Sequence, residues 1–440
     1  MGHILFAAAL LSLTFQADPL APLAAETRVL VEQLLTGNAA PLARRFDQRM
    51  AEALSRPQLE QTVTGVRQQA GAFRAVTGTR SMSRDGIRVV VVTCEFAAGP
   101  VEVSVAWDDN NRVVGLNMRP APLPPSDDAP AAYVARERFT ESEVTVDAGG
   151  WPLGGTLSMP VGDGPFPGVV LVHGSGPSDR DATLGPNRPF RDLAWGLASR
   201  GIAVLRYDKR TLTHRARLAT ASDFTVKEET VDDALAAVAL LRKTRGVRAD
   251  RVFVAGHSLG GMLAPRMGVA DPALGGLIVL AGAVRPLADT MLSQVRYLAA
   301  LDGNISDEEA KQIASAEALV QRARTLKPGD PPLTGALASG PASYVLDLRG
   351  YHPPTAARDL KMPLLVLQGE RDYQVTMTDF AEWRAALAGR GDGTHLVSYP
   401  TLNHMFMSGS GASSPAEYRT PGHVDGAVVA DIAAWVAGRR

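Results

Sequence analysis

RVFVAGHSLGGMLAPRM, residues 251–267, is the stretch from which the fold follows. Arg251 to Ala255 is a short apolar run without polar alternation, as in a β-strand buried on both faces, and Met262 to Met267 continues with helical character. Between them the chain must turn from strand to helix at Ser258. A turn that sharp needs small residues two before and two after its tip, and Gly256 and Gly260 supply them. Such a turn lifts the serine hydroxyl out of the sheet. It also sets the Leu259 N–H at the first turn of a helix, where the dipole favours negative charge. The spacing predicts a nucleophile elbow. The plainer alternative is a Gly-rich turn with an ordinary serine, and the rest of the chain has to decide between them.

A serine hydroxyl attacks only when a base removes its proton, and the base needs a carboxylate to orient it. MPLLVLQ (362–368) reads as a second buried strand, and Glu370, Arg371 and Asp372 follow in the loop past its end. Asp372 is the expected acid, with Glu370 as its competitor. HLVSYP (395–400) reads as a last strand, and His404 in the following TLNHMF is the expected base, the alternative being a surface histidine. Ser, Asp and His then occur in the chain order of this strand–loop arrangement, each past a strand end.

An oxyanion needs a second donor beside Leu259. GPFPGVVLVHGSGPSDRD (164–181) is a strand running into His-Gly-Ser-Gly-Pro, so the Ser175 N–H is the expected donor, with Gly174 and Gly176 permitting close approach. His173 is expected to brace the loop, and Asp179, Arg180 and Asp181 to form a local ion-pair network rather than to face substrate.

With these motifs in place, residues 140–440 resemble an α/β-hydrolase and are similar to bacterial serine carboxylesterases with a His-Gly-Ser-Gly-Pro-x-Asp-Arg-Asp loop. The resemblance rests on HGSGPSDRD (173–181), RYDKR (206–210), GHSLGG (256–261), LQGERDYQV (368–376) and LNHMF (402–406), in family order. It implies a doubly wound, mostly parallel sheet and an ester or thioester hydrolase with Ser258, Asp372 and His404 as triad. It does not fix the substrate, because one such core serves many chemistries. A peptidase acting on short peptides would need a charged group for a substrate terminus, for which Arg180, Arg206 and Arg349 are the candidates. A binding protein that has kept the fold would have no use for a triad with two oxyanion donors.

A helical insertion, about 283–360, interrupts the strand–helix alternation and is expected to cap the cleft, favouring short or medium acyl groups. Tyr297, Tyr344 and Tyr351 are its candidate acyl-pocket residues, with core packing as the alternative. Ahead of the hydrolase-like region, residues 26–119 read as helices followed by a strand meander with turns at Asp85-Gly86, Gly99-Pro100 and 108–111. That α+β unit resembles a domain of unknown function found before some bacterial hydrolases, NTF2-like or cystatin-like in shape. A Pro- and Asp-rich linker, 120–139, is expected to separate the two units as an extended spacer.

The chain has 440 residues, a formal net charge of -1 and no concentrated Lys/Arg run, which argues against nucleic acid as a partner. A small-molecule ester is the expected partner. Its single cysteine, Cys94, cannot close an internal disulfide, and no metal or cofactor motif is evident. Ile4 to Phe15 has the length of a signal-peptide apolar segment and is too short to span a bilayer. Residues 1–25 are therefore expected to be a leader, and the mature protein secreted or periplasmic without membrane insertion. The missing Lys or Arg before this run and the poor small-x-small match at Phe15-Gln16-Ala17 fit a packed N-terminal helix instead, which would leave the protein cytoplasmic. Oligomeric state is not legible in the sequence.

Overall fold

Runs such as VVLV (169–172), VFVA (252–255) and LLVL (364–367) have no polar face, so each can be stable only between two covering layers. A computed structural model describes residues 20–438 apart from 85–86, 98, 122–128, 220, 222–223, 332 and 334–340. Residues 1–19 of the expected leader, 1–25, and the turn at 85–86 lie outside the described residues. Residues 21–25 form the start of the helix Ala21–Leu35. The chain divides into two units, 1–123 and 124–440.

In the first unit the helices Ala21–Leu35 and Arg56–Ala70 precede a four-stranded antiparallel meander. Its strands are β1 (Phe73–Arg84), β2 (Ile87–Phe96), β3 (Gly99–Trp107) and β4 (Val113–Pro120). The first helix ends where Gly37 takes a φ of 105°, open to glycine without strain. Leu23, Val31, Leu34 and Leu35 from this helix meet Val90, Val92, Cys94 and Trp107 from the sheet in one core. Burial and the nearby Glu32 charge push the Cys94 thiol up to about 12, which makes it a packing group and not a nucleophile.

The second unit holds β5 (Phe139–Asp147), β6 (Pro152–Pro160), β7 (Phe166–Val172), β8 (Ala203–Tyr207), β9 (Val247–His257), β10 (Gly276–Leu280), β11 (Leu364–Gly369) and β12 (Thr394–Tyr399). They form one sheet in the order β12-β11-β10-β9-β7-β8-β6-β5. β7 to β12 run parallel, whereas β6 and β5 are antiparallel to their neighbours. Alternate side chains serve opposite cores. Val170, Val172 and Val254 join Ala234, Leu241, Leu263 and Trp383 on one face. Val169, Leu171 and Phe253 join Phe190, Leu197, Ile432 and Trp435 on the other. The chain steps from β7 to β8 on one side and then to β9 on the other, so a crevice opens past the ends of β7 and β9.

The insertion expected to act as a cap comprises the helices Leu287–Ala299, Asp307–Thr325, Ala342–Leu348 and Pro353–Arg358, between β10 and β11. The longest begins with a capping box in which Ser306 Oγ accepts from Glu309 N (3.3 Å) and Glu309 Oε2 accepts from Ser306 N (2.9 Å). The expected spacer is not extended throughout. Its described end packs on the second unit, where the Tyr133 hydroxyl donates to Val424 O (2.8 Å) and Ala135 N to Ser199 Oγ (2.9 Å). Among the described residues no helix is long and apolar enough to cross a membrane.

Candidate active site

Ser258 sits between β9 and the helix Leu259–Ala270 with φ 54° and ψ −113°, a conformation L-residues avoid unless the surroundings enforce it. The enforcement is visible. Its N–H donates to Leu280 O (2.9 Å), and its carbonyl accepts from Met262 N (2.9 Å). The flanking glycines are required by backbone proximity. A β-carbon on Gly256 would overlap the Gly260 carbonyl, and one on Gly260 would lie 2.5 Å from Val172 O and 2.6 Å from His173 O. Backbone cannot yield as a flexible side chain can. Gly260→Ala is therefore expected to cost about 3 kcal/mol or more, or to prevent folding. Gly389→Ala, where an added carbon meets nothing within 4 Å, is the control that should leave the urea midpoint nearly unchanged.

Past the end of β11, Asp372 is buried and accepts at every side. Its Oδ1 takes N–H groups from Gln374 (2.7 Å) and Val375 (3.0 Å), and its Oδ2 takes Gln368 Nε2 (3.2 Å). The remaining contact is His404 Nδ1 to Asp372 Oδ2 at 2.6 Å, with both side chains buried. An ionised carboxylate only accepts, so Nδ1 carries the proton and Nε2 is left as the basic nitrogen. Glu370, the competing carboxylate, lies elsewhere: its Oε1 accepts from Ser398 Oγ (2.7 Å) at the surface.

His404 lies in a loop tied down by the Asn403 side chain. Asn403 Oδ1 accepts from Met405 N (3.0 Å) and Met407 N (3.1 Å), while Asn403 Nδ2 donates to Glu417 (2.9 Å). His257, between Gly256 and Ser258, packs its ring 4.6 Å from the His404 ring and bonds through Nε2 to His404 O (2.9 Å). Burial, helped by the neighbouring His404, pushes the His257 imidazole down to about 3, so it stays neutral and donates from Nε2. This side chain brings the elbow and the His404 loop together. Among the described residues Ser258 Oγ makes no hydrogen bond, and no metal-holding group of His, Cys, Asp or Glu is found.

The loop past β7 lies against the elbow: a β-carbon on Gly174 would be 3.1 Å from Ser258 Cβ. The Ser175 N–H and the Leu259 N–H, the latter without an intrahelical acceptor at a helix start, belong to this neighbourhood. His173 Nε2 bonds to Asp179 O (2.9 Å), and burial, with Lys209 nearby, lowers its imidazole to about 4. Arg180 pairs with Asp208 (2.8 Å) and Glu143, and Arg206 with Glu141 (2.8 Å) and Asp181 (2.8 Å). These groups line a recess of about 620 Å³ to which Ser258, Asp372 and His404 do not contribute.

The three tyrosines are engaged through their hydroxyls. Tyr297 donates to Ser413 O (2.9 Å) and stacks 5.0 Å from Tyr373, the neighbour of Asp372. Tyr351 donates to Met262 O (3.0 Å), and Tyr344, in the core, to Glu229 (2.7 Å). Gln368 and His257 were not singled out from sequence, although a lone amide closing the apolar run of β11 and a histidine inside the elbow were both visible signals.

Comparison with known proteins places these features in context. The model of the alpha/beta hydrolase family matches residues 169–419, and residues 28–116 match a family described as a protein of unknown function (DUF3887). The chain is 36% identical over 411 residues to Esterase EstD of Thermotoga maritima, covering 93% of this chain and 94% of that protein. Among solved structures, Est1E from Butyrivibrio proteoclasticus is 17% identical, covering 68% of this chain and 98% of its own, with a TM-score of 0.43. The esterase from Pyrobaculum calidifontis is 20% identical, with 68% and 85% coverage and a TM-score of 0.43.

Proposed function

The chain belongs to the alpha/beta hydrolase family and is a carboxylic ester hydrolase, and from that premise we propose that Ser258, His404 and Asp372 carry out two-step acyl transfer on short- to medium-chain esters. The observation that carries this reading is the Asp372–His404 hydrogen bond of 2.6 Å beside an elbow whose serine is held at positive φ. His404 Nε2 takes the Ser258 proton as Oγ attacks the ester carbonyl. The Ser175 and Leu259 N–H groups receive the oxyanion, and His404 then protonates the leaving alcohol. Water repeats the sequence on the acyl-enzyme.

The peptidase alternative loses support at its arginines. Arg180 and Arg206 are committed to carboxylates, so two of the three offer no open charge to a substrate terminus, whereas Arg349 donates through Nη2 to a neutral carbonyl, Ala323 O (2.6 Å), and keeps its charge. Export by a cleaved leader is proposed on the N-terminal apolar run alone.

The test is hydrolysis of p-nitrophenyl esters graded from acetyl to palmitoyl beside alanine and proline p-nitroanilides, with a fluorophosphonate probe to identify the reactive serine. Ester cleavage peaking at short chains, with the probe on Ser258, is the expected result. Cleavage of the anilides alone would make the enzyme a peptidase, and a probe bound elsewhere would remove Ser258 from its role.

A further inference from the structure

Lys209 follows the end of β8 and is only 2% exposed, yet its ammonium does not simply close an ion pair. Nζ donates to Gly174 O at 2.7 Å and lies 3.2 Å from Glu229 Oε1. Glu229, 3% exposed, sits in a π-helical turn, Lys227–Asp232, and accepts also from Thr211 Oγ1 (3.1 Å) and from the cap residue Tyr344 (2.7 Å). Burial alone would raise the Glu229 carboxyl; Lys209 and these hydroxyls more than reverse that and hold it below the usual carboxylate range. The segment 208–209 grips the same loop at two further points: Lys209 N donates to Ser178 O (3.0 Å) and Asp208 Oδ1 accepts from Arg180 N (2.9 Å).

A buried ion pair is a poor way to gain stability, since apolar residues of equal volume commonly do as well. Its placement suggests another use. In a trans peptide the carbonyl of one residue and the N–H of the next point in opposite directions within one plane. Anchoring Gly174 O therefore aims Ser175 N–H the other way, and a cation on the carbonyl strengthens the amide as a donor. We propose that Lys209, held by Glu229 and Tyr344, is a positioning residue that orients the Gly174–Ser175 peptide as an oxyanion donor and ties that donor to the cap. The proposal rests on the triad reading above and adds to it a residue that touches no substrate.

The probe is phenethyl trifluoromethyl ketone. Ser258 Oγ forms a bond to its carbonyl carbon, the π pair moves onto oxygen as a hemiketal oxyanion, and the serine proton passes to His404. Inhibition thus reports on the oxyanion donors, as kcat does. Three variants are compared: Lys209→Met, the double variant Lys209→Met/Glu229→Gln, which leaves no unpaired buried charge, and Tyr344→Phe, which removes one hydroxyl and keeps the fold. The double variant is expected to lose about 10²-fold in kcat on p-nitrophenyl acetate with KM nearly unchanged. Ketone affinity is expected to fall by the same factor, Tyr344→Phe showing a smaller loss on the same line of unit slope. A folded variant whose kcat falls while ketone affinity holds, or a Lys209 variant that matches the parent in both, would overturn the proposal. Fluorophosphonate labelling of the parent separates the two levels: an unlabelled Ser258 refutes the triad, whereas a labelled Ser258 with unchanged Lys209 variants refutes only the positioning role.

Discussion

Ser258→Ala is expected to lower kcat on p-nitrophenyl acetate by about 10⁶-fold while leaving the circular dichroism spectrum and thermal midpoint essentially those of the parent. The structure explains why the two should separate. Among the described residues the hydrogen bonds that hold residue 258 are backbone ones, from its N–H to Leu280 O and from Met262 N to its carbonyl. Alanine keeps both, and bears the same positive φ that serine already bears. What it removes is the single atom that forms the acyl bond, and with it the split of one difficult step into two easier ones. The residue of activity would come from the oxyanion donors and from water activated by His404. A correctly folded variant retaining more than about one part in a hundred of the parent rate would be incompatible with Ser258 as nucleophile.

Asp372→Asn should cost about 10⁴-fold in kcat, whereas Glu370→Gln should change it by no more than about twofold. The difference lies in which atoms donate. Asp372 Oδ1 faces two backbone N–H groups, so an asparagine would keep its oxygen there and turn its amide toward the other side. That side already presents Gln368 Nε2, another donor, and His404 Nδ1. The imidazole can accept from the new amide only by moving its proton to Nε2, the nitrogen that must receive the serine proton. The base is thereby held in the wrong tautomer without losing its position. Among the described residues the Glu370 carboxylate bonds to the Ser398 hydroxyl at the surface, and removing its charge leaves His404 untouched. Steady-state kinetics of the two variants side by side decides the matter. A larger loss in Glu370→Gln would transfer the acid role to Glu370.

Much of the hydrolase unit was legible because its signals are local. Buried parallel strands are continuous apolar runs, and Gly256 is dictated within the turn itself, its nearest contacts being Gly260 and Gly261, whereas Gly260 answers to Val172 and His173 far off in the chain. β5 and β6 were not placed, since a Gly- and Thr-containing hairpin such as PLGGTLSMP lacks a continuous apolar signature. The tyrosines show a different limit. Sequence gives Tyr344 a helical, apolar setting, but that its hydroxyl meets Glu229, 115 positions away, depends on how the cap folds over the π-helical turn. The choice between Asp372 and Glu370 likewise turned on backbone direction past Gly369, where a β-carbon would come within 2.7 Å of Asn403 O. RYDKR was recognisable as a motif, yet the task of Lys209 within it became visible only once Gly174 was in place.

The strand order also bears on when the molecule can work. β10 and β11 are neighbours in the sheet, but the whole cap lies between them in the chain, so the acid and then the base reach the elbow only after a long loop has closed. Non-local pairings of this kind form late, and a collapsed chain with its helices already wound still lacks a catalytic centre. β12, which delivers His404, pairs with β11 alone at the margin of the sheet, where opening requires the least disruption. Turnover is thus expected to be acquired near the end of folding and surrendered near the start of unfolding. Mild urea should silence the enzyme before its helices melt, with activity reporting on the frailest margin of the sheet and not on its centre.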